Sequence, residues 1–212
     1  MQNSITSRVE RKVLAWLAAR LPAWVNSDHL TLLGFVAMFG AGASYALAHF
    51  HAVGLLLAAV FLAVNWFGDS LDGTVARLRN RQRPRYGFYV DHMIDTFGGF
   101  FLIGGLAISG IVHWPIALGM LIAYLMLSIE VYLAAYTLGE FRLSFGIFGP
   151  TELRILLALG NVVLWMNPAM RVMGSRQLFD VGGVAAIAAM AVMLVVSAVS
   201  NTAKLYRAET LR

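Results

Sequence analysis

Two pairs of aspartates carry the chemistry this sequence is equipped to perform. In "GDSLDGTVAR", Asp69 and Asp72 stand one helical turn apart and are followed by Gly73 and a run of arginines; in "YGFYVDHMID", Gly87, Asp91 and Asp95 recur at intervals of four. Residues three and four apart share one face of a helix. Asn65, Asp69, Asp72, Gly73 and Ala76 therefore line one helical face, and Gly87, Asp91 and Asp95 line another. Two antiparallel neighbours joined by the short loop between them can aim four carboxylates at one point. Carboxylates gathered this way repel one another, and divalent cations resolve the repulsion. The chain has no cysteine, so any metal must be held by oxygen or imidazole. All-oxygen ligands favour Mg²⁺, Mn²⁺ or Ca²⁺ over zinc, and carboxylates bridging two ions suit phosphoryl transfer. Small side chains at Gly73, Ala76 and Gly87 would let a flat base or a phosphate approach the backbone. In the competing account the acids only neutralise Arg77 and its neighbours, which does not require a shared face.

The elements that must position these groups are membrane helices. Hydrophobic residues make up 59% of the 212-residue chain and charged residues 13%, with a mean hydropathy of +0.73, far from the composition of a soluble domain. Apolar stretches long enough to cross a bilayer run from about Leu30 to His49, Val53 to Leu78, Tyr86 to Ile108, Trp114 to Leu138, Thr151 to Met170 and Val181 to Leu205. The expected fold is thus all-α, with six transmembrane helices over residues 23–212 and an interfacial amphipathic helix over residues 1–22. In that first segment Ile5, Val9, Val13, Trp16 and Leu17 recur at helical spacing, with Arg8, Arg11, Lys12 and Arg20 elsewhere around the wheel. It is too charged for the apolar core of a secretory signal.

Of the 16 Lys and Arg, all but Arg171 and Arg176 lie in the N-terminal segment, the loops after the second and fourth spans with their borders, and the C-terminal tail. By the positive-inside rule both termini and the loop from Arg77 to Arg85 face the cytoplasm, as an even number of spans permits. The net charge of +5 is then a matter of loops facing anionic lipid, and nucleic acid is not an expected partner.

The run Asp69-x2-Asp72-Gly73-x2-Ala76-Arg77, nine residues, Gly87-x3-Asp91-x3-Asp95 resembles the defining motif of the CDP-alcohol phosphotransferases, and it matches at every motif position. The six spans and the N-terminal helix extend the likeness to most of the chain. The resemblance implies a membrane enzyme that transfers a substituted phosphate from a CDP-linked donor to an alcohol or lipid acceptor and releases CMP. It implies Asp69, Asp72 and Asp91 as ligands of two Mg²⁺ or Mn²⁺ ions, and Asp95 as general base that also touches metal. It further implies Gly73, Ala76 and Gly87 around the cytidine and phosphate, with Asn65 on the same face and Arg77 near the pyrophosphate. "SDHLT" resembles the family's Pro-Asn-x-x-Thr element: Thr31 is kept, whereas Ser27 and Asp28 replace Pro and Asn. Thr31 either contacts the donor or merely caps the helix start.

Substrate choice is split. Phosphatidyl transfer from CDP-diacylglycerol suits the length of the chain, whereas "FRLSFGIFGPTELR" and "VDHMID" resemble enzymes that move phosphocholine or phosphoethanolamine onto diacylglycerol. Arg142, Glu152 and Arg154 are candidates for the border of an acceptor pocket. His92, about 100° around the helix from Asp91, is expected to support the site rather than ligate. Glu130, mid-span, is expected to face inward toward Tyr124 or Arg154. His113 is expected at the far interface, without a part in the chemistry. Gly98 and Gly99 are expected to allow close helix packing and, with it, a homodimer. Two rival functions remain at this stage. A cation transporter would place acids near the bilayer centre and show inverted repeats; a membrane prenyltransferase would lack the Gly-x2-Ala-Arg continuation.

Cysteines introduced singly at Asn80 and Gly174 into this cysteine-free chain should react with impermeant maleimide from opposite faces of sealed vesicles. Reaction from one shared face would overturn the orientation.

Overall fold

The computed structural model describes residues 7–139, 150–168, 171–172 and 176–209. It is a helical bundle: α1 (Ser7–Arg20), α2 (Ser27–Ala48), α3 (Val53–Leu78), α4 (Pro84–Ser109), α5 (Trp114–Leu138), α6 (Pro150–Met166) and α7 (Leu178–Ala208). A two-residue antiparallel pair, β1 (Arg171–Val172) with β2 (Arg176–Gln177), is the only departure among the described residues. Five helices, α2 to α5 and α7, are long and apolar enough to cross a membrane. The stretch expected as a fifth span from Thr151 to Met170 is the 17-residue helix α6, which ends at Met166.

Local chemistry sets the helix limits. Asn26 caps α2, its side chain accepting from the His29 backbone N–H while the His29 ring accepts from the Asn26 N–H. Proline in the first turn starts α4 and α5, and each ends on a glycine in the left-handed region, Gly110 and Gly139.

Helix α2 packs most closely on α3 and on α4, because glycines let the backbones meet. A methyl group at Gly68 would lie 2.5 Å from the Leu30 carbonyl oxygen and 2.6 Å from the Gly34 nitrogen. Gly105 of α4 likewise packs onto the backbone of Gly42 in α2. Without a hydrophobic driving force between helices in lipid, such close approach is the main source of attraction. It also fixes height: Gly68 precedes Asp69, so the contact with α2 sets the level of the first acid. Gly98 and Gly99 meet Met38 and Tyr124 of the same chain, so the space they leave is filled from within.

One apolar cluster, including Tyr45, Leu55, Ala58, Ile103, Leu106 and Leu164, lies toward the end of the bundle away from the acids. A second joins Leu14 and Ala18 of α1 to Leu30, Leu71 and Val75, seating α1 on α2 and α3. The outer faces are apolar: Leu118, Ile122, Met126, Ile129 and Leu133 form an exposed stripe along α5, and Val192, Val195, Val196 and Val199 do so on α7. A surface of this kind is solvated by lipid tails rather than by water. Some polar groups inside the bundle are paired across helices. Tyr45 Oη donates to Asn161 Oδ1 at 3.0 Å. Glu130 accepts from Asn201 Nδ2 at 2.7 Å, so its partner is on α7 and is neither Tyr124 nor Arg154.

Candidate active site

Helices α3 and α4, joined by the basic loop, both pack on α2, and their acid-bearing faces meet residues of α2 and α6 around one small cavity of about 30 Å³. Asp69, Asp72, Asp91 and Asp95 all line it, with Thr31, Asn65 and Arg154. The convergence expected from helical spacing is thus present.

Each α3 carboxylate already has a partner. Thr31 Oγ1 lies 2.8 Å from Asp72 Oδ2 and 2.9 Å from the Ser27 carbonyl. Since Asn26 caps α2, Thr31 is no cap: its hydroxyl reaches into the cavity. Arg154 Nη2 donates to Asp69 Oδ2 at 2.6 Å. Asn65 donates to the Gly34 carbonyl at 2.9 Å, which leaves its buried Oδ1 without a hydrogen-bond partner. Among the described residues, no three acidic or imidazole groups stand as a closed metal-ligand cluster. Asp69 and Asp72 are turned instead to Arg154 and Thr31.

The donor set nonetheless suits a hard cation. Among the described residues Arg154 is the one basic residue lining a cavity with four carboxylates, so charge among them is far from balanced, and an orphaned amide oxygen offers a further neutral ligand. Neutralisation of Arg77 does not explain the acids, because Arg77 Nη2 donates to Thr74 Oγ1 at 3.2 Å on the exposed side of α3.

The other motif residues divide by place. Gly73 packs beside the Arg77 guanidinium, and its N–H lies 2.5 Å from Asp72 Oδ1. The side of Gly87 is open, with nothing within 4 Å of a methyl group placed there. Ala76 lines a second, more open cavity of about 350 Å³ with Asn26, Ser27, Asp28 and the loop arginines Arg79, Arg81 and Arg83. Arg83 pairs with Asp28 at its rim and covers the Tyr86 ring at 4.1 Å. Glu152 lies in the first turn of α6, outside the acid cavity, and Arg142 lies outside the described residues.

Several supporting groups gave no distinct signal in the sequence. Tyr124 and Tyr132 of α5 donate to the backbone carbonyls of Asp95 at 2.9 Å and His92 at 3.2 Å, holding α4 where its acids sit. His92 itself contacts the Phe88 carbonyl through Nδ1 and packs against Phe88 and Tyr132, a supporting place. Arg79 bonds the carbonyls of Leu21, Pro22, Ala23 and Val25, fastening the turn between α1 and α2. At the far end, His113 bonds the buried Asp180 through both backbone N–H and ring, tying α5 to α7. Long polar side chains of this sort look like ordinary interfacial residues until the helices are assembled.

Fold and cavity together define a multi-pass integral membrane protein whose aspartates converge between its helices. The family model for CDP-alcohol phosphatidyltransferases matches residues 24–200, and the chain belongs to that family, whose members transfer a substituted phosphate group from a CDP-linked donor to an alcohol. The chain is 26% identical to an archaetidylinositol phosphate synthase of Pyrococcus horikoshii, over 74% of this chain and 87% of the relative. A protein of the same name from Methanothermobacter thermautotrophicus is 34% identical over 40% of each. Among solved structures, the fold matches the phosphatidylinositol phosphate synthase of Mycobacterium tuberculosis, crystallised with CDP-DAG bound. That match has a TM-score of 0.58 and 21% identity, and covers 95% of this chain and 94% of the other.

Proposed function

We propose that the protein transfers a phosphatidyl-type group from a CDP-linked diradylglycerol to a phosphorylated polyol, releasing CMP. The observation that carries this is the convergence of Asp69, Asp72, Asp91 and Asp95 on one cavity. The named products of the relatives, archaetidylinositol phosphate and phosphatidylinositol phosphate, favour phosphatidyl transfer over movement of phosphocholine or phosphoethanolamine. Clustering of the acids at one end of α3 and α4, rather than along a central path, disfavours a cation transporter.

In this reading Asp69, Asp72 and Asp91, with Asp95, hold two Mg²⁺ or Mn²⁺ ions. Bound there, the ions would polarise the diphosphate and stabilise the charge that develops on the departing CMP. The 30 Å³ acid cavity suits ions and phosphate oxygens, whereas the nucleotide needs the larger cavity beside it. Cytidine would lie there against Ala76, with Gly73 and Gly87 leaving space for the diphosphate. Thr31 and Asn65 hold polar atoms toward the acids, and Arg77 stands at the same end of α3. Asp95 is one turn further into the bundle than Asp91, on the side from which an acceptor hydroxyl meets the donor. It takes the hydroxyl proton as that oxygen bonds to the lipid-bearing phosphorus; the bond from phosphorus to the bridging oxygen breaks, and CMP leaves. Arg154, with Glu152 and Arg142, would border the acceptor and meet its phosphate.

For topology, we take α6 as a sixth, short span: at ~1.5 Å per residue it is about 25 Å long, enough for a thin or locally adapted bilayer. Both termini and the arginine loop then face the cytoplasm. The helix α1 lies at that interface, with Leu14 and Ala18 buried on the bundle and Lys12, Trp16 and Arg20 exposed.

Loss of groups that merely support a metal ligand typically costs ~10–100-fold in metal affinity, so Asp69→Asn and Asp91→Asn should each weaken Mg²⁺-dependent binding of CDP-diacylglycerol by at least that. Calorimetry on the detergent-solubilised protein measures this, and unchanged binding in both variants would move the site elsewhere. Asp95→Asn keeps an oxygen and the volume but accepts no proton usefully. It should still bind the donor with Mg²⁺ while CMP release falls by at least ~10². Near-normal release, or a loss of donor binding equal to that of Asp91→Asn, would remove Asp95 from the role of base.

A further inference from the structure

Glu10, on α1, is the charged side chain least expected to matter to a site made by α3, α4 and α6. It is half-buried, and its Oε1 accepts two hydrogen bonds: from Trp66 Nε1 of α3 at 2.8 Å and from Thr151 Oγ1 of α6 at 2.8 Å. Trp66 stands three residues before Asp69, and Thr151 three residues before Arg154. A step of three stays on one helical face and advances about one turn. One turn further along each helix, Arg154 Nη2 meets Asp69 Oδ2 at 2.6 Å. The same stretches of α3 and α6 are thus joined twice, directly by Asp69 and Arg154 and indirectly through one carboxylate of α1. That carboxylate cannot drift, because Leu14 and Ala18 anchor α1 in the cluster with Leu71 and Val75, against which Trp66 also packs.

We propose that Glu10 is a positioning residue: it holds the first turn of α6 against α3 so that the Arg154 guanidinium is delivered to the acid cavity. The consequence for turnover rests on the function proposed above, with Arg154 meeting the acceptor's phosphate. Arginine has several rotatable bonds, and its aim is set by where its helix begins. A misplacement of about 1 Å far from the chemistry can cost up to ~10²-fold in rate. Charge-assisted bonds to Trp66 and Thr151 restrain the first turn of α6 against α3. The conservative change Glu10→Gln keeps an Oε1 able to accept both bonds, whereas Glu10→Ala removes them.

Two measurements test this on the full-length protein in detergent. The first reads Arg154 itself, through its rate of modification by phenylglyoxal followed by peptide mass spectrometry. Glu10→Ala should expose Arg154 and raise that rate severalfold, Glu10→Gln should stay close to the parent, and Asp69→Asn provides the unpaired reference. An unchanged rate in Glu10→Ala would overturn the proposal. The second is a double-mutant cycle on CMP release from CDP-diacylglycerol with inositol phosphate as acceptor. Glu10→Ala should raise the acceptor KM about tenfold with little change in donor KM, Glu10→Gln should restore it, and Glu10→Ala should add nothing in an Arg154→Gln background. Additive losses would show a merely structural role and would also overturn it. Should the parent release no CMP with these substrates while Arg154 protection still depends on Glu10, the proposed substrates fail and the positioning role stands.

Discussion

Four carboxylates drawn to one end of two membrane helices impose the constraint on which the rest of this structure depends. In a bundle coated by lipid such charge cannot be left to solvent, so every helix around the cavity contributes something that holds or offsets it. Helix α2 supplies Thr31 and a backbone close enough for Asn65 to bond Gly34. Helix α5 pins the backbone of α4 with two tyrosine hydroxyls. Helix α6 brings Arg154. Even α1, outside the bundle, reaches the same two helices through Glu10. The glycines between α2, α3 and α4 belong to this arrangement, since a side chain at Gly68 would push α3 away and change the level of Asp69.

The chemistry follows from the same imbalance. Carboxylates that outnumber their basic partners suit divalent cations, and in the proposed function such cations would act at a diphosphate. In the proposed function the small acid cavity would serve charge stabilisation and the larger, arginine-rimmed one nucleotide recognition.

The acid cluster was legible in the sequence because it depends on periodicity: intervals of three and four put Asp69 with Asp72 and Asp91 with Asp95, and a short loop brings their helices to one cavity. Helix extents were legible through the apolar runs: Val53 to Leu78 and Trp114 to Leu138 match α3 and α5. What depends on the rotation of one helix against another was not. Arg154 stood out as a candidate, but its pairing with Asp69, 85 residues earlier in the chain, is set by how α6 packs on α3. Glu130 was matched to the wrong helix for the same reason, since Asn201 of α7 is its partner. Glu10 looked like one more charge on an amphipathic surface helix. Thr31 was ambiguous between cap and site until Asn26 proved to be the cap.

One cation site for a CDP-linked donor, formed by Asp69, Asp72, Asp91 and Asp95, can be seen in crystals grown with Mn²⁺ and CDP-diacylglycerol and measured at the manganese absorption edge. Two anomalous peaks are expected inside the cavity lined by α3 and α4, in contact with the donor's diphosphate. Donor density with no anomalous peak among these four carboxylates would rule that site out.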